Sequence, residues 1–345
     1  MNQENILPKI SIIIPVFNGS STIQNCLNYI YASEFKEFEV ILVDDCSVDD
    51  TLDVASNYPC RILKNEINKG PAFSRNKGVD AANGELILFV DVDVLIPPDL
   101  MKKICFFFDS HKEISILQCR YEDIPHYKNL FSRYKHYIFS YRGFSAGKSY
   151  INYIHTACVA LRKIVFQKIR FNKNLRRRED IDFGLRCVQN GFLIYADSEV
   201  TVSHNKKYDL MSFSRYQFSS AKELTLQLFV IKNKNMSQEF RLSNQPLYKK
   251  LWFLRPFFSF LFLLTLLWLG ISRTLLPLLI LIFIFLLSFL VEFQFRLYLL
   301  KVAPCFISIA ACFLYFYDGL LIGVGAIAGV FEAIMLRVCS QKSLS

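Results

Sequence analysis

The stretch Gly84-Glu85-Leu86-Ile87-Leu88-Phe89-Val90-Asp91-Val92-Asp93 runs an apolar segment straight into two carboxylates one residue apart. Alternate residues of an extended backbone point the same way, so Asp91 and Asp93 share a side. Carboxylates so placed suit a hard divalent cation that bridges to phosphate oxygens. A bare Asp-x-Asp also caps ordinary strands, so its chemistry depends on what else the chain brings to that place. Leu86 to Val90 has the length and the β-branched and aromatic content of a strand buried on both faces. Asn83-Gly84 opens it, and Pro97-Pro98 stops regular structure beyond it.

Four such strands are expected in the first hundred residues. Ile10 to Val16 forms the first and ends at Pro15, Phe17 and an Asn18-Gly19 turn. Ser20 to Ser33 follows with helical spacing, placing Ile23, Leu27 and Ile30 on one face. Glu39 to Val43 is the second strand and closes on Asp44-Asp45-Cys46-Ser47-Val48-Asp49-Asp50; helix resumes from Thr51 to Asn57. Arg61 to Leu63 is the short third strand, and Pro71 to Ala82 is helical with Arg75 in its first turns. This β-α-β-α-β-α-β order predicts a parallel sheet with helices on both sides. Ligands of such sheets collect outside the carboxyl ends of the strands. Asn18, Asp44, Asp45, Asp91 and Asp93 all fall there, and this convergence on one rim points to a binding site.

With these residues in view, the chain resembles the inverting family-2 glycosyltransferases of GT-A fold. The resemblance rests on Ser11 to Asn18, Val43 to Asp49, Gly70 to Gly78 with Arg75-Asn76, Gly84 to Asp93, and Glu179-Asp180, and covers about residues 8 to 220. It implies an α/β, Rossmann-like nucleotide-diphospho-sugar transferase domain with a UDP- or GDP-sugar donor and a divalent metal, Mg or Mn. Pro15, Phe17 and Asn18 would bind the donor, Asp45 would receive the base, and Arg75 would position the diphosphate. Asp93 would ligate the metal, with Asp91 nearer the ribose or on the same ion. Two positions depart from the pattern: Cys46 stands where Gly is usual, which predicts some turn strain, and Phe17 replaces the commoner Tyr.

Asp99 to Ser110 is expected to be a helix and Ile114 to Tyr121 a strand. Asp123 to Tyr153 is rich in Tyr, Phe, His and Lys, as either an acceptor site or an amphipathic helix at a membrane would be. Tyr153 to Leu161 resembles the family's strand leading to a basic residue, here Arg162, and His155 reads as structural rather than metal-binding. Arg176-Arg177-Arg178 is either a solvated face or a grip on phosphate. Glu179 and Asp180 then open a helix that runs to Gly191. A carboxylate at a helix N-terminus stays ionised at neutral pH, as a general base must; by itself Asp180 reads as an ordinary N-terminal helix carboxylate, and the resemblance makes it that base. Phe192 to Val202 is a strand followed by His204, which in related enzymes approaches the metal or diphosphate; a capping or exposed His is the alternative. The Gln-x-x-Arg-Trp of processive synthases is absent, so the resemblance implies addition of a single sugar.

The 345 residues exceed one ordinary core, and the 52% apolar content, with 33 Phe, is concentrated beyond Lys250. Ten cysteines occur without a C-x-x-C pair, excluding the usual zinc and redox patterns and suiting a reducing compartment. The net charge of +10 gathers in the middle of the chain and before the apolar runs, favouring membrane lipids or phosphorylated substrates over nucleic acid. Leu251 to Ile271 and Thr274 to Val291 read as a membrane hairpin. Val302 to Tyr317 and Gly319 to Phe331, interrupted by Asp318, read as a third span or a re-entrant segment. Gly323, Gly325 and Gly329 suit close helix packing there.

The expected layout is therefore a transferase domain over 8–225, a basic juxtamembrane linker over 226–250 and an all-α membrane region of two to three helices over 251–335. The basic flank predicts a multi-pass plasma-membrane protein with its catalytic domain in the cytoplasm. The acceptor would be lipid-linked or a saccharide, in envelope glycan or polysaccharide synthesis. A polyprenyl-phosphate glycosyltransferase and an inactive membrane scaffold of the same fold are the alternatives.

Overall fold

The computed structural model describes residues 8–144, 149–230, 254–272 and 274–342. The chain divides into two compact units, residues 1–126 with 143–206, and residues 127–142 with 207–345.

The first unit is built on one mixed sheet. Strands β1 (Ile10–Val16), β2 (Phe38–Asp44), β3 (Arg61–Lys64) and β4 (Leu86–Val90) pair in parallel in the order β3-β2-β1-β4. This is the arrangement expected from their helical crossovers. Beyond β4 the sheet changes character. Strand β8 (Cys158–Arg162) joins β4 antiparallel and carries β6 (Ile114–Tyr121) on its far side, with β9 (Leu193–His204) parallel to β6. Strand β7 (Ser149–Ile151) and the two-residue β5 (Val94–Leu95) each pair with β9.

Alternation along β1 explains why its sequence is apolar throughout. Ile10, Ile12 and Ile14 enter the core on one face with Leu42, Leu88 and Val90. Ile13 enters the opposite core with Ile41, Val43, Ile87 and Phe89. Each fully buried side chain of this kind stabilises the fold by about 1.5–3 kcal/mol. Helix α1 (Ile23–Tyr31) closes the first face with Ile23, Leu27 and Ile30, the stripe expected from spacing, while α2 (Thr51–Ala55) is short. Helix α3 (Pro71–Ala81) begins at Gly70 with φ 86° and presses Gly78 onto Ile13, where a Cβ would clash. Cys46 has φ 70°, so a side chain does occupy the left-handed position where the family favours glycine. Helix α4 (Leu100–Ser110) completes the first half, and α6 (Val165–Lys168) and α7 (Glu179–Gln189) follow β8.

The second unit is helical. It comprises α5 (Leu130–Phe144), α8 (Leu210–Val230), α9 (Arg255–Ile271), α10 (Leu276–Val291), α11 (Phe293–Val302) and α12 (Cys305–Lys342). The aromatic stretch around residue 130 thus supplies a helix: Tyr134 and Tyr137 pack with Phe213, Leu299 and Leu314. Gly325 and Gly329 let α12 lie against the backbone of α8 at Phe218 and Lys222, the close packing their spacing suggested. Asp318 does not interrupt this helix; buried, it bonds to Arg255 and Gln217.

Among the described residues one helix, Cys305–Leu336, is long and apolar enough to cross a membrane, with mean hydropathy 2.1 over its best window, and Leu276–Val291 with Phe293–Val302 would be a second if the bent pair is one span. Helices α9 and α10 have 17 and 16 residues, or about 25 Å each at 1.5 Å per residue, short of a hydrocarbon core of about 30 Å. They expose many apolar side chains, among them Phe257, Leu264, Trp268, Leu279 and Phe283. At Glu292 the chain bends by 72° between α10 and α11. Most of the expected basic linker, residues 231–250, and the start of the expected hairpin lie outside the described residues.

Candidate active site

The rim at the carboxyl ends of β1, β2 and β4 is stitched together by its own loops. Asn18, in a left-handed conformation with φ 51°, receives Val48 N–H on its Oδ1 and donates its own N–H to Ser47 Oγ. Gly19 N–H reaches Thr51 Oγ1 at 2.8 Å, and Ser20 N–H reaches Asp49 Oδ2 at 3.0 Å. Pro15, half-buried, is the penultimate residue of β1 and pairs with Val43, and Phe17 just past the strand is half-exposed.

Asp45 is turned inward. Its carboxylate accepts bonds from Asn65 Nδ2, Lys69 N–H and Gly70 N–H at 2.8, 2.9 and 2.7 Å. Those bonds fix the start of α3, and a carboxylate with about four acceptor positions keeps room for one further donor.

The Asp-x-Asp pair divides its partners. Asp91 accepts from Arg75 at 2.8 Å and is one-third exposed. Asp93 lies 3.1 Å from Lys206 Nζ and 3.7 Å from His204 Nε2. Burial alone would push the Asp93 carboxyl up, but His204 and Lys206 outweigh it and hold it well below the usual carboxylate range. The antiparallel pairing of Val94 with His204 brings the imidazole there, and Asn205 N–H bonds to Asp93 O. His204 is therefore the last residue of a strand rather than a loop residue beyond one, its ring tilted against Tyr121 with centroids 5.1 Å apart.

Arg75 is buried and bidentate in effect. One Nη meets Asp91 and the other meets Glu179 Oε1 at 2.7 Å. Glu179 is the first residue of α7, and Asp180 follows it with Oδ2 3.5 Å from His155 Nδ1 and Oδ1 accepting Ile181 N–H at 2.8 Å. Two adjacent carboxylates next to one guanidinium separate in behaviour. Burial and then Asp180 push the Glu179 carboxyl up, against the pull of Arg75. Burial works the same way on Asp180, but His155, the Ile181 N–H and Arg75 hold it below its ordinary value. Asp180 thus stays an acceptor, the state proton abstraction requires.

Several positioning groups escaped the sequence reading. Gln118, buried on β6, donates to the carbonyls of Cys119, His155 and Cys158 and accepts His155 N–H at 2.7 Å. This fixes the backbone from which His155 reaches Asp180. Gly184 lets α7 approach Tyr153 and Ile154, where an added Cβ would lie 2.8 Å from backbone atoms of both. Lys206 carried no signal, because its place beside Asp93 depends on the β5–β9 pairing.

Among the described residues, no three His, Cys, Asp or Glu side chains form a ready metal cluster. One or two carboxylates are nevertheless what a magnesium-like ion takes from protein when phosphates and water supply the rest. Ionised Asp93 with Asp91 and His204 nearby fits that donor set, with Lys206 now holding the position of a positive charge.

A parallel-led mixed sheet with its acidic rim at the carboxyl ends of β1, β2 and β4 defines the GT-A class of nucleotide-diphospho-sugar transferases. The class is matched in solved structures. A mannosyltransferase from Pyrobaculum calidifontis, solved with GDP-Man and Mn2+, superposes with TM-score 0.54 and 15% identity over 96% of this chain and 88% of that one. Staphylococcus aureus TarS 1-349 with UDP-GlcNAc gives 0.53 and 19% over 94% and 91%; both likenesses concern the fold. Residues 11–170 match the family described as Glycosyl transferase family 2.

Among curated relatives, the poly(ribitol-phosphate) beta-N-acetylglucosaminyltransferase TarS of S. aureus is 37% identical over 110 residues, 30% of this chain and 19% of that protein. A PGL/p-HBAD biosynthesis glycosyltransferase of Mycobacterium bovis is 27% identical over 220 residues, 59% of this chain and 79% of that protein. The chain therefore spans about a fifth of the length of TarS.

Proposed function

We propose that this chain transfers one sugar from a UDP- or GDP-sugar, with inversion, to a hydroxyl of a lipid-linked or saccharide acceptor in cell-envelope glycan synthesis. The carrying observation is the single buried guanidinium of Arg75, which ties Asp91 of the Asp-x-Asp pair to Glu179 beside Asp180. It joins the part of the rim suited to a diphosphate to the part suited to a proton. The donor chemistry is supported by the ligands bound in the structural neighbours, UDP-GlcNAc and GDP-Man, and the envelope setting by the names of TarS and the PGL/p-HBAD enzyme.

In this reading Pro15, Phe17 and Asn18 cradle the donor nucleoside, and Asp45 uses its remaining acceptor position for the base. Asp93, with Asp91 and His204, holds a divalent cation, which when bound neutralises charge on the leaving diphosphate. Asp180 takes the proton from the acceptor hydroxyl as its oxygen attacks the anomeric carbon opposite the diphosphate. The bond to the diphosphate breaks, a nucleoside diphosphate leaves, and the configuration inverts. The transferase domain occupies about residues 8–225, and the apolar helices after residue 254 hold it at the cytoplasmic face of the plasma membrane. Helix α12 crosses the membrane, and α9 with α10 enters it.

The test is release of nucleoside diphosphate from UDP- and GDP-sugars by the full chain in detergent, with a lipid extract as acceptor and Mn2+ or EDTA added. The expected result is turnover that needs the metal and falls by about a hundredfold or more in Asp93→Ala, since the metal contributes several kcal/mol of charge stabilisation. Turnover indifferent to both EDTA and Asp93→Ala would refute the metal assignment.

A further inference from the structure

Helix α3 turns Arg75 inward, and its other side has a different content. Asn76, Lys77 and Asp80 follow Phe73 by three, four and seven residues, so all four share one side of the helix. With Arg170 and Lys173 they line a cavity of about 390 Å³, within the range of about 300–1,000 Å³ that ligand pockets span. Its far wall is fixed to the helix. Asn76 Nδ2 donates to Phe171 O at 2.9 Å, and Asn76 Oδ1 accepts Phe171 N–H at 3.0 Å. Asn172 O then accepts Leu175 N–H and turns the chain.

The cavity is cationic. Asp80 is the one carboxylate lining it, and it is already bonded to Arg170. Lys77 donates to Lys64 O and Asn65 Oδ1, neither of which carries a charge. Among the described residues no carboxylate pairs with Lys173 or Arg176. Arg170, Lys173 and Arg176 recur every third residue, and all three are exposed. Arg176 Cγ lies 3.9 Å from the point where Gly70 would carry a Cβ. That places Arg176 at the start of α3, where Gly70 N–H bonds to Asp45. The basic groups thus follow α3 from Asp80 back to Gly70, about 15 Å at 1.5 Å per residue. The segment that bears them runs directly into Glu179 and Asp180 of α7.

This layout selects among anions. A single ion needs one cluster of cations, whereas cations spread along a helix suit a chain that carries several phosphates. A bilayer surface is flat, whereas these groups line a cavity that also holds the Phe73 ring, against which a sugar can pack. We infer that this groove binds the acceptor and that the acceptor is a phosphate-bearing glycan. Lys77, Lys173 and Arg176 bond its phosphates, Phe73 packs against its sugars, and the groove leads its hydroxyls toward Asp180. The acceptor role rests on the sugar-transfer reading; the binding itself is measured without turnover.

The full chain in phosphatidylcholine nanodiscs would be titrated by calorimetry with phosphorylated dextran, with plain dextran, with inorganic phosphate and with UDP. Wild type is expected to bind phosphorylated dextran and not dextran, and to bind it more weakly as sodium chloride is raised. The double variant Lys173→Glu, Arg176→Glu should bind it about tenfold more weakly or worse, having lost two charge-assisted contacts. Its melting temperature and its affinity for UDP should match wild type, because both side chains are exposed and pair with no carboxylate. Dextran bound as tightly as its phosphorylated form, or an affinity unchanged in the double variant, would overturn the inference. Inorganic phosphate that competes on equal terms would reduce the groove to a site for a single ion and overturn it too. So would an affinity that falls when phosphatidylglycerol replaces phosphatidylcholine, which would assign these cations to the bilayer. The UDP titration separates this inference from the reading beneath it. Binding of UDP without phosphorylated dextran would remove the groove and leave sugar transfer standing. Binding of phosphorylated dextran without UDP would remove sugar transfer, and with it the acceptor role.

Discussion

Asp180→Asn should lower sugar transfer by about a thousandfold while leaving the fold and donor binding intact. Asparagine keeps the shape and can still accept the Ile181 N–H on its oxygen, but it cannot take up the acceptor's proton, and general bases contribute roughly 10²–10⁴ to rate. The substitution also removes the charge that helps push the Glu179 carboxyl up, so Glu179 should ionise more readily and keep Arg75 in place. Unchanged stability in urea and an unchanged dissociation constant for UDP would show that the loss is chemical. Transfer that survives in Asp180→Asn would point to a phosphate acceptor, whose oxygen needs no base, and so to the polyprenyl-phosphate alternative.

Arg75→Met is expected to have the largest effect on stability, about 3 kcal/mol or more. Its guanidinium is buried between Asp91 and Glu179, and removing one member of a buried ion pair typically costs about 3–5 kcal/mol because the partner is left uncompensated. Two features pull toward the lower end. Glu179, its carboxyl already raised, can take a proton, and Asp91 is one-third exposed to water. Arg75→Lys should recover only part of the loss, since a point charge cannot serve two carboxylates as a planar fork does. A urea midpoint equal to wild type, with only donor affinity reduced, would instead make Arg75 a group that positions the diphosphate, the role the family resemblance implies.

The sequence made the first half of the rim legible because parallel strands expose their carboxyl ends together. Once Ile10–Val16, Glu39–Val43 and Leu86–Val90 read as buried strands with helical crossovers, Asn18, Asp45, Asp91 and Asp93 had to converge. Asp180 stood out only through the family resemblance, because a carboxylate at the start of a helix is by itself ordinary. What tied these parts together was not, because it depends on long-range pairing. Arg75 and Glu179 are 104 residues apart, and His204 reaches Asp93 only through the two-residue strand Val94–Leu95, too short to leave a hydrophobic period. Gln118 looked like one polar residue on a strand, and only the fold shows its amide holding the backbone of His155.

In the apolar region the hydropathy was legible and the helix boundaries were not. Asp318 looked like a break between two segments, but a buried charge with Arg255 as its partner does not end a helix. The converse holds for Arg296, which is buried although hydropathy alone places a charge at the surface.

The anomeric configuration of the transferred sugar tests the proposed chemistry most directly. With an α-linked nucleotide sugar as donor, proton NMR of the product formed by the full chain should show a β linkage, as attack opposite the diphosphate under Asp180 requires. An α-linked product would contradict it.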